Sequence, residues 1–184
     1  SVTSSATDAR TVGASAAFGG INEVGSAEEV AARWNAQADR IVAIARSWIG
    51  TPYHHQASLK GVGCDCFGLV RGVWRELYDA AEPEDVPTYS RDWAEATGEE
   101  TMIEAARRHM IEIAIADARA GDVMIFRLRD YYVAKHSVIL TGYGRMIHAT
   151  EGTPVCEVHL SAWWLRHAGG AFRFPLLDDG VKGA

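Results

Sequence analysis

Long apolar runs are missing from this sequence. Nothing in it approaches the roughly 20 consecutive apolar residues of a membrane span, so no membrane insertion is expected. A cationic surplus is missing too. Lysine and arginine total 18 against 24 aspartates and glutamates, a net charge of −6. A sequence-independent grip on nucleic acid needs clustered Lys and Arg, so nucleic acid is excluded as a partner. Cysteine is sparse and odd in number: three, at positions 64, 66 and 156. That excludes a disulfide framework and points to a reduced, chemically useful set. The first residues lack the cationic start and apolar core of a signal peptide. The expectation is a protein made in the cytoplasm.

What is present is ordinary globular composition, 48% hydrophobic and 23% charged over 184 residues. A chain of this size buries roughly 70% of its unfolded surface in one domain and needs neither disulfide nor metal. Residues 1–25 are rich in Ser, Ala, Thr and Gly and read as a flexible N-terminal arm, or one that orders against a partner. The domain is expected over residues 26–177, with a short tail at 178–184.

Ser26 and Glu29 form an S-x-x-E capping box. Ala31, Trp34, Ala38, Ile41, Ala45 and Trp48 then recur at helical spacing, while Gln37 falls off that face. Gly50 and Pro52 end the helix. Residues 51–65 read as a loop. A second helix is expected from Cys66 to about Ala80, and a short one over residues 98–111. From Val123 onward the period is that of strands: 123–126, 133–141, 145–149, 155–160 and 171–175, with glycines between them. Helices first and an antiparallel sheet second make the class α+β.

The informative stretch is Gly61-Val62-Gly63-Cys64-Asp65-Cys66-Phe67-Gly68-Leu69-Val70. A glycine-rich loop enters a helix whose first turn holds Cys66. A free thiol is only about 3% ionised at pH 7, and the thiolate is the nucleophile. Unpaired N–H groups at a helix mouth favour the anion, and a nearby imidazole would lower its pKa further. Cys66 is equally readable as a small buried hydrophobe. Two histidines bear on that choice. His136 opens one strand and His148 lies in the next, across Gly142-Tyr143-Gly144. A three-residue hairpin loop pairs residues whose numbers sum to 286. Both rings then lie on one face as diagonal neighbours. A two-residue loop would place them on opposite faces. On the same face they form a nucleophile–base–orienter arrangement.

Thr51-Pro52-Tyr53, Asp65-Cys66-x-Gly68-Leu69-Val70, Gly121-Asp122-Val123, His136 and Ile147-His148-Ala149 together resemble, in order, the motifs of the NlpC/P60 peptidases, papain-like cysteine peptidases of bacterial cell walls. The resemblance covers residues 38–176. It implies a papain-like α+β fold with the nucleophile helix packed on an antiparallel sheet. It also implies cleavage of an amide in the peptidoglycan stem peptide, often between D-γ-glutamate and meso-diaminopimelate, without cofactor. Carried over by motif, Cys66 is the nucleophile, His136 the general base and His148 the orienting residue. Tyr53 lies near the site for substrate or the oxyanion, and Asp65 meets a cationic amine of the substrate. Two departures stand out: Phe67 where the family has Ser, and Ser137-Val138 where it has a small residue and Gly.

Residues 63–77 further resemble a subgroup encoded beside tail genes of phages and gene transfer agents. That implies tail or baseplate proteins as partners, with a virus-like particle delivering the enzyme to the wall of the next cell. The alternative is a structural tail-tip protein with an inactive or occluded site. Among other residues, Cys64 and Cys156 read as structural, His54 and His55 as solvated loop residues, and His109, His159 and His167 as non-catalytic. Of Trp163 and Trp164 at least one belongs to the core. Residues 81–120, with Tyr89 and Trp93, form an insertion that shapes the cleft or meets another protein.

Overall fold

The computed structural model describes residues 25–80, 82, 100–128 and 133–177. The N-terminal arm, the C-terminal tail, Tyr89 and Trp93 lie outside them. Helix α1 spans Ala27–Ser47, with the Ser26/Glu29 capping box formed in both directions. Its inward face begins at Trp34 and deepens through Ile41, Ala45 and Trp48, while Ala31 stays exposed. Gln37, expected off the buried face, is itself buried. Its amide donates to the carbonyls of Phe174 and Pro175, and its oxygen accepts from Leu177 N. A long polar side chain can be buried because the last residues of the chain satisfy it.

The expected loop after α1 contains a small hairpin, β1 (Ser58–Leu59) and β2 (Gly63–Cys64). Pro52 O accepts from Cys64 N, and Cys64 O from His54 N, so this segment is tied to the residues just before helix α2 (Cys66–Tyr78). Two glycines set how closely α2 is approached. A Cβ on Gly68 would collide with the carbonyl of Ala57, and one on Gly72 with the indole of Trp48. Helix α3 covers Thr101–His109, shorter than expected at both ends.

Strands β3 (Ile111–Ile113), β4 (Val123–Phe126), β5 (His136–Gly142), β6 (Arg145–Thr150), β7 (Thr153–His159) and β8 (Ala168–Arg173) form one antiparallel sheet in the order β3-β8-β4-β5-β6-β7. Helix α4 (Ala162–Arg166) lies between β7 and β8. Strand β3 was not foreseen, because three residues are too few for alternation to register. The expected strand at 133 begins only at His136. The α+β expectation holds.

Both sheet faces are covered, which is why β4 is buried at all four positions. Val123 and Ile125 join the helices' core with Ile139, Ile147 and Phe172. Met124 and Phe126 join a second core on the opposite face with Val138, Leu140 and Met146, against which Trp164 packs. Gly121-Asp122 has a structural cause. Gly121 has φ +86° and passes so close to Ala38 that a Cβ would lie 2.8 Å from its Cα. Asp122, buried, takes two hydrogen bonds at 2.8 Å from Arg173 on β8.

Candidate active site

Asp65 caps α2. Its Oδ1 accepts from Gly68 N at 2.7 Å and its Oδ2 from Gln56 N at 2.7 Å, with His55 Nδ1 at 3.7 Å from Oδ2. The residue is only 3% exposed. This departs from the expectation that Asp65 meets a substrate amine. A carboxylate just before a helix satisfies orphan N–H groups, and here both oxygens are committed to the backbone. His55, expected to be solvated, is half-buried beside it, while His54 is exposed with its ring against Gly63.

Cys66 begins α2, and its Sγ lies 3.7 Å from Lys135 O, the carbonyl just before His136. Ser137, just after His136, donates its hydroxyl to Cys66 O at 3.0 Å. The residues on either side of His136 thus hold the start of the helix. Ser137 was noted in the sequence only as a departure from the family pattern. In the structure it is the side chain that joins β5 to Cys66. Phe67 lies under Arg71, 6.0 Å from ring centre to guanidinium carbon, and lines an apolar cavity of about 80 Å³ with Val70, Trp74, Met102 and Met110.

His136 and His148 come together on the sheet face shared with Phe126 and covered by Trp164, and the start of α2 meets the residues on either side of His136. His136 Nε2 and His148 Nδ1 are 3.1 Å apart, with the rings nearly perpendicular at 78°. Both are buried. Nε2 of His136 is engaged by His148, and Nδ1 is its other ring nitrogen. Tyr53 forms an isolated parallel bridge with Cys64, so its backbone lies two residues from Cys66, and its half-buried side chain packs on the helical core.

The electrostatics differ from the expected thiolate–imidazolium pair. Burial, and then the Asp65 carboxylate, push the Cys66 thiol up to about 11, although hydrogen bonds from Ser137 and the Phe67 backbone oppose them. Burial and then His148 push His136 down to about 3. Burial also lowers His148. Burial thus favours the neutral form of both the Cys66 thiol and the His136 imidazole. The helix mouth does favour the anion, but desolvation in this packed setting outweighs it. Cys64 is fully buried, its thiol raised to about 12 by burial, Asp65 and Cys66. Cys156 sits opposite His148 on β7.

One aromatic contact had no signal in the sequence. Trp164 stacks on His136 (centroids 5.5 Å, 28°) and stands edge-on to His148 (5.8 Å, 84°). Its neighbour Trp163 is 42% exposed and stacks on His167. Among the described residues no group of three or more His, Cys, Asp or Glu is arranged to hold a metal ion.

A model of the NlpC/P60 family matches residues 50–173. The chain belongs to that family. The curated protein gamma-DL-glutamyl hydrolase of Bacillus subtilis (strain 168) is 28% identical over 138 residues, covering 74% of this chain and 29% of the relative. The chain thus spans less than a third of that relative's length. An NlpC/P60 protein from Bacillus cereus ATCC 10987 superimposes with a TM-score of 0.55 at 20% identity, over 74% of this chain and 40% of that one. The peptidoglycan hydrolase RipB of Mycobacterium tuberculosis superimposes with a TM-score of 0.51 at 18% identity, over 83% of this chain and 73% of that one. These structures share the NlpC/P60 papain-like fold.

Proposed function

We propose that this chain is a cysteine peptidase acting on the stem peptides of peptidoglycan, at the D-γ-glutamyl–meso-diaminopimelate bond. The observation that carries this is the pairing of His136 Nε2 with His148 Nδ1 at 3.1 Å, beside a cysteine whose sulfur rests on the carbonyl preceding His136. The γ-glutamyl hydrolase likeness supports the bond class.

The chemistry follows from the resting protonation states. His136 donates Nε2–H to His148 and presents a bare Nδ1. His148, kept neutral by burial, can accept that hydrogen bond. The thiol leaves the Lys135 carbonyl and passes its proton to His136 Nδ1 as sulfur attacks the scissile carbonyl. The tetrahedral oxyanion is held by the backbone N–H of Cys66, with the Tyr53 hydroxyl as second donor. His136 then returns the proton to the leaving amine. Water hydrolyses the thioester, giving up its proton through the same imidazole. Because the resting pair is neutral, proton transfer and attack are coupled, and the charged pair exists only along the reaction.

The finer proposal is that a phage-like tail carries the enzyme to the wall, where it acts, with tail or baseplate proteins as partners. It rests on the wording of residues 63–77, and finding the chain by mass spectrometry in purified particles tests it. The peptidase itself is tested by digesting purified sacculi and identifying the products. Wild type should release fragments cut after D-γ-glutamate, and Cys66→Ala should release none while melting like wild type. Equal turnover by Cys66→Ala would overturn the cysteine mechanism, and sacculi left uncut by wild type would favour the occluded, structural alternative.

A further inference from the structure

The second core contains an aromatic arrangement that packing alone does not require. His136 sits opposite Phe126 in the β4–β5 register, so both side chains leave the same sheet face. Trp164 covers them. Its ring meets Phe126 edge-on at 5.1 Å, lies nearly parallel to His136 and is perpendicular to His148. The two imidazoles, themselves perpendicular, are therefore each in contact with one indole whose plane is set independently.

Helix α4, which carries that indole, is too short to hold its own orientation, and it is fastened at both ends. Leu160 N, just before it, donates to Gly144 O at 2.7 Å in the β5–β6 turn. His167 O, just after it, accepts from Arg127 N at 2.9 Å at the end of β4. The turn joining the two histidine strands and the strand under His136 thus both locate Trp164. Trp163 adds an edge contact at 5.1 Å from the outer side.

We propose that Trp164 is a positioning residue: its indole fixes the planes of the His136–His148 pair and faces the positive charge that His136 acquires while it holds the thiol proton. This rests on the peptidase proposal above. An imidazole ring has a two-fold choice at its second side-chain torsion, and a single hydrogen bond to another imidazole does not remove it. A flat ring stacked on one side does. The same ring offers its negative face to the imidazolium. The neutral imidazole of the resting site gains little from that face, so the contact strengthens as the proton arrives. That is the kind of interaction that raises kcat without tightening substrate binding.

Trp164→Phe, Trp164→Leu and Trp163→Phe are compared with wild type on muropeptides. Trp164→Leu should lower kcat by roughly tenfold or more, the worth of a desolvated cation–π contact and a lost orientation, with KM nearly unchanged. Trp164→Phe should restore most of the rate, and Trp163→Phe should match wild type. Independently of substrate, the imidazole proton shared by His136 and His148 is followed by NMR on 15N-histidine-labelled protein. It should be sharp in wild type and Trp164→Phe, and lost in Trp164→Leu. Wild-type kcat and an intact resonance in Trp164→Leu would overturn the proposal. So would a loss in Trp164→Phe as large as in Trp164→Leu. If wild type leaves muropeptides uncut, the peptidase proposal fails, and the resonance alone then decides the role of Trp164.

Discussion

His136 and His148 face each other because of Thr141, one residue too many in β5. Ile139 pairs with Ile147 and Leu140 with Met146, but Gly142 pairs with Arg145, so Thr141 is left over as a bulge. The connection itself has two residues, Tyr143 and Gly144, both at positive φ (51° and 67°). Alone, such a turn would turn the two histidines to opposite faces. The bulge adds the missing residue and restores pairing to a sum of 286. The hydroxyl of Thr141 donates to Glu157 Oε1 at 2.7 Å on β7, which fastens the bulge in place.

That turn is the first place for a prediction. Positive φ at both central positions is the geometry for which Asn-Gly is preferred. Tyr143 has its side chain fully in solvent, so nothing offsets its backbone strain. Tyr143→Asn should stabilise the fold by about 0.5–1 kcal/mol, because Asn tolerates this region better than a bulky residue does. Urea unfolding measures it, and an unchanged or lower midpoint would count against the assigned turn. Cleavage should be unaffected, since the register is kept.

The cysteine allows a prediction whose sign opposes the usual expectation for a nucleophile. With the thiol pushed up to about 11, alkylation by iodoacetamide should be slow at neutral pH and climb steadily through pH 10. A plateau below pH 8 would mean that the resting site holds a thiolate after all. Asp65 is the second largest cause of the raised value. Asp65→Asn keeps an acceptor for the cap at Gly68 N but sets an amide NH2 against Gln56 N, so it should cost about 1 kcal/mol, while the alkylation curve should move to lower pH. Asp65→Ala should cost about 1–2 kcal/mol through loss of the cap. If Asp65→Asn left the curve in place and raised KM for muropeptides instead, the carboxylate would be a substrate contact.

These two cases show what could be read before folding and what could not. Helix α1 was legible from Ser26, Glu29 and the apolar spacing, because capping and periodicity are local. The order of the strands along the chain was legible from the glycines between them. The common face of the two histidines was also foreseen, but through a three-residue loop; the same offset arises from a two-residue turn plus a bulge. Threonine is an ordinary strand residue, so nothing marked Thr141 as surplus. Asp65 was ambiguous in kind, since a carboxylate before a helix suits a cap as well as a ligand. The contact of Trp164 with the histidines depends on α4 folding back over the sheet, which no local pattern encodes. The thiol's shift depends on how completely the helix mouth is desolvated, and only the packed structure decides that.

The buried imidazole makes acid stability a further test. His136 is held down to about 3 in the folded protein, against an ordinary value near 6.5 in the unfolded chain. Between those values the unfolded chain binds a proton that the folded one refuses, so folding stability falls as pH drops through that window. At pH 5 the loss from this one group is about 2 kcal/mol relative to pH 7. His148, lowered in the same direction by burial, adds to it. Glu157 is held down to about 2 by Arg46 and Thr141. Its stabilising share is present above the ordinary carboxylate pKa and is lost only as pH falls through that value toward 2, so little of it is lost between pH 7 and 5. His136→Gln removes the titrating group and should flatten the dependence between pH 7 and 5, even if the variant is less stable at both. Urea midpoints at the two pH values, compared between wild type and variant, give the difference directly. If His136→Gln lost as much stability on acidification as wild type does, His136 would not be held neutral, and the neutral resting dyad would have to be abandoned.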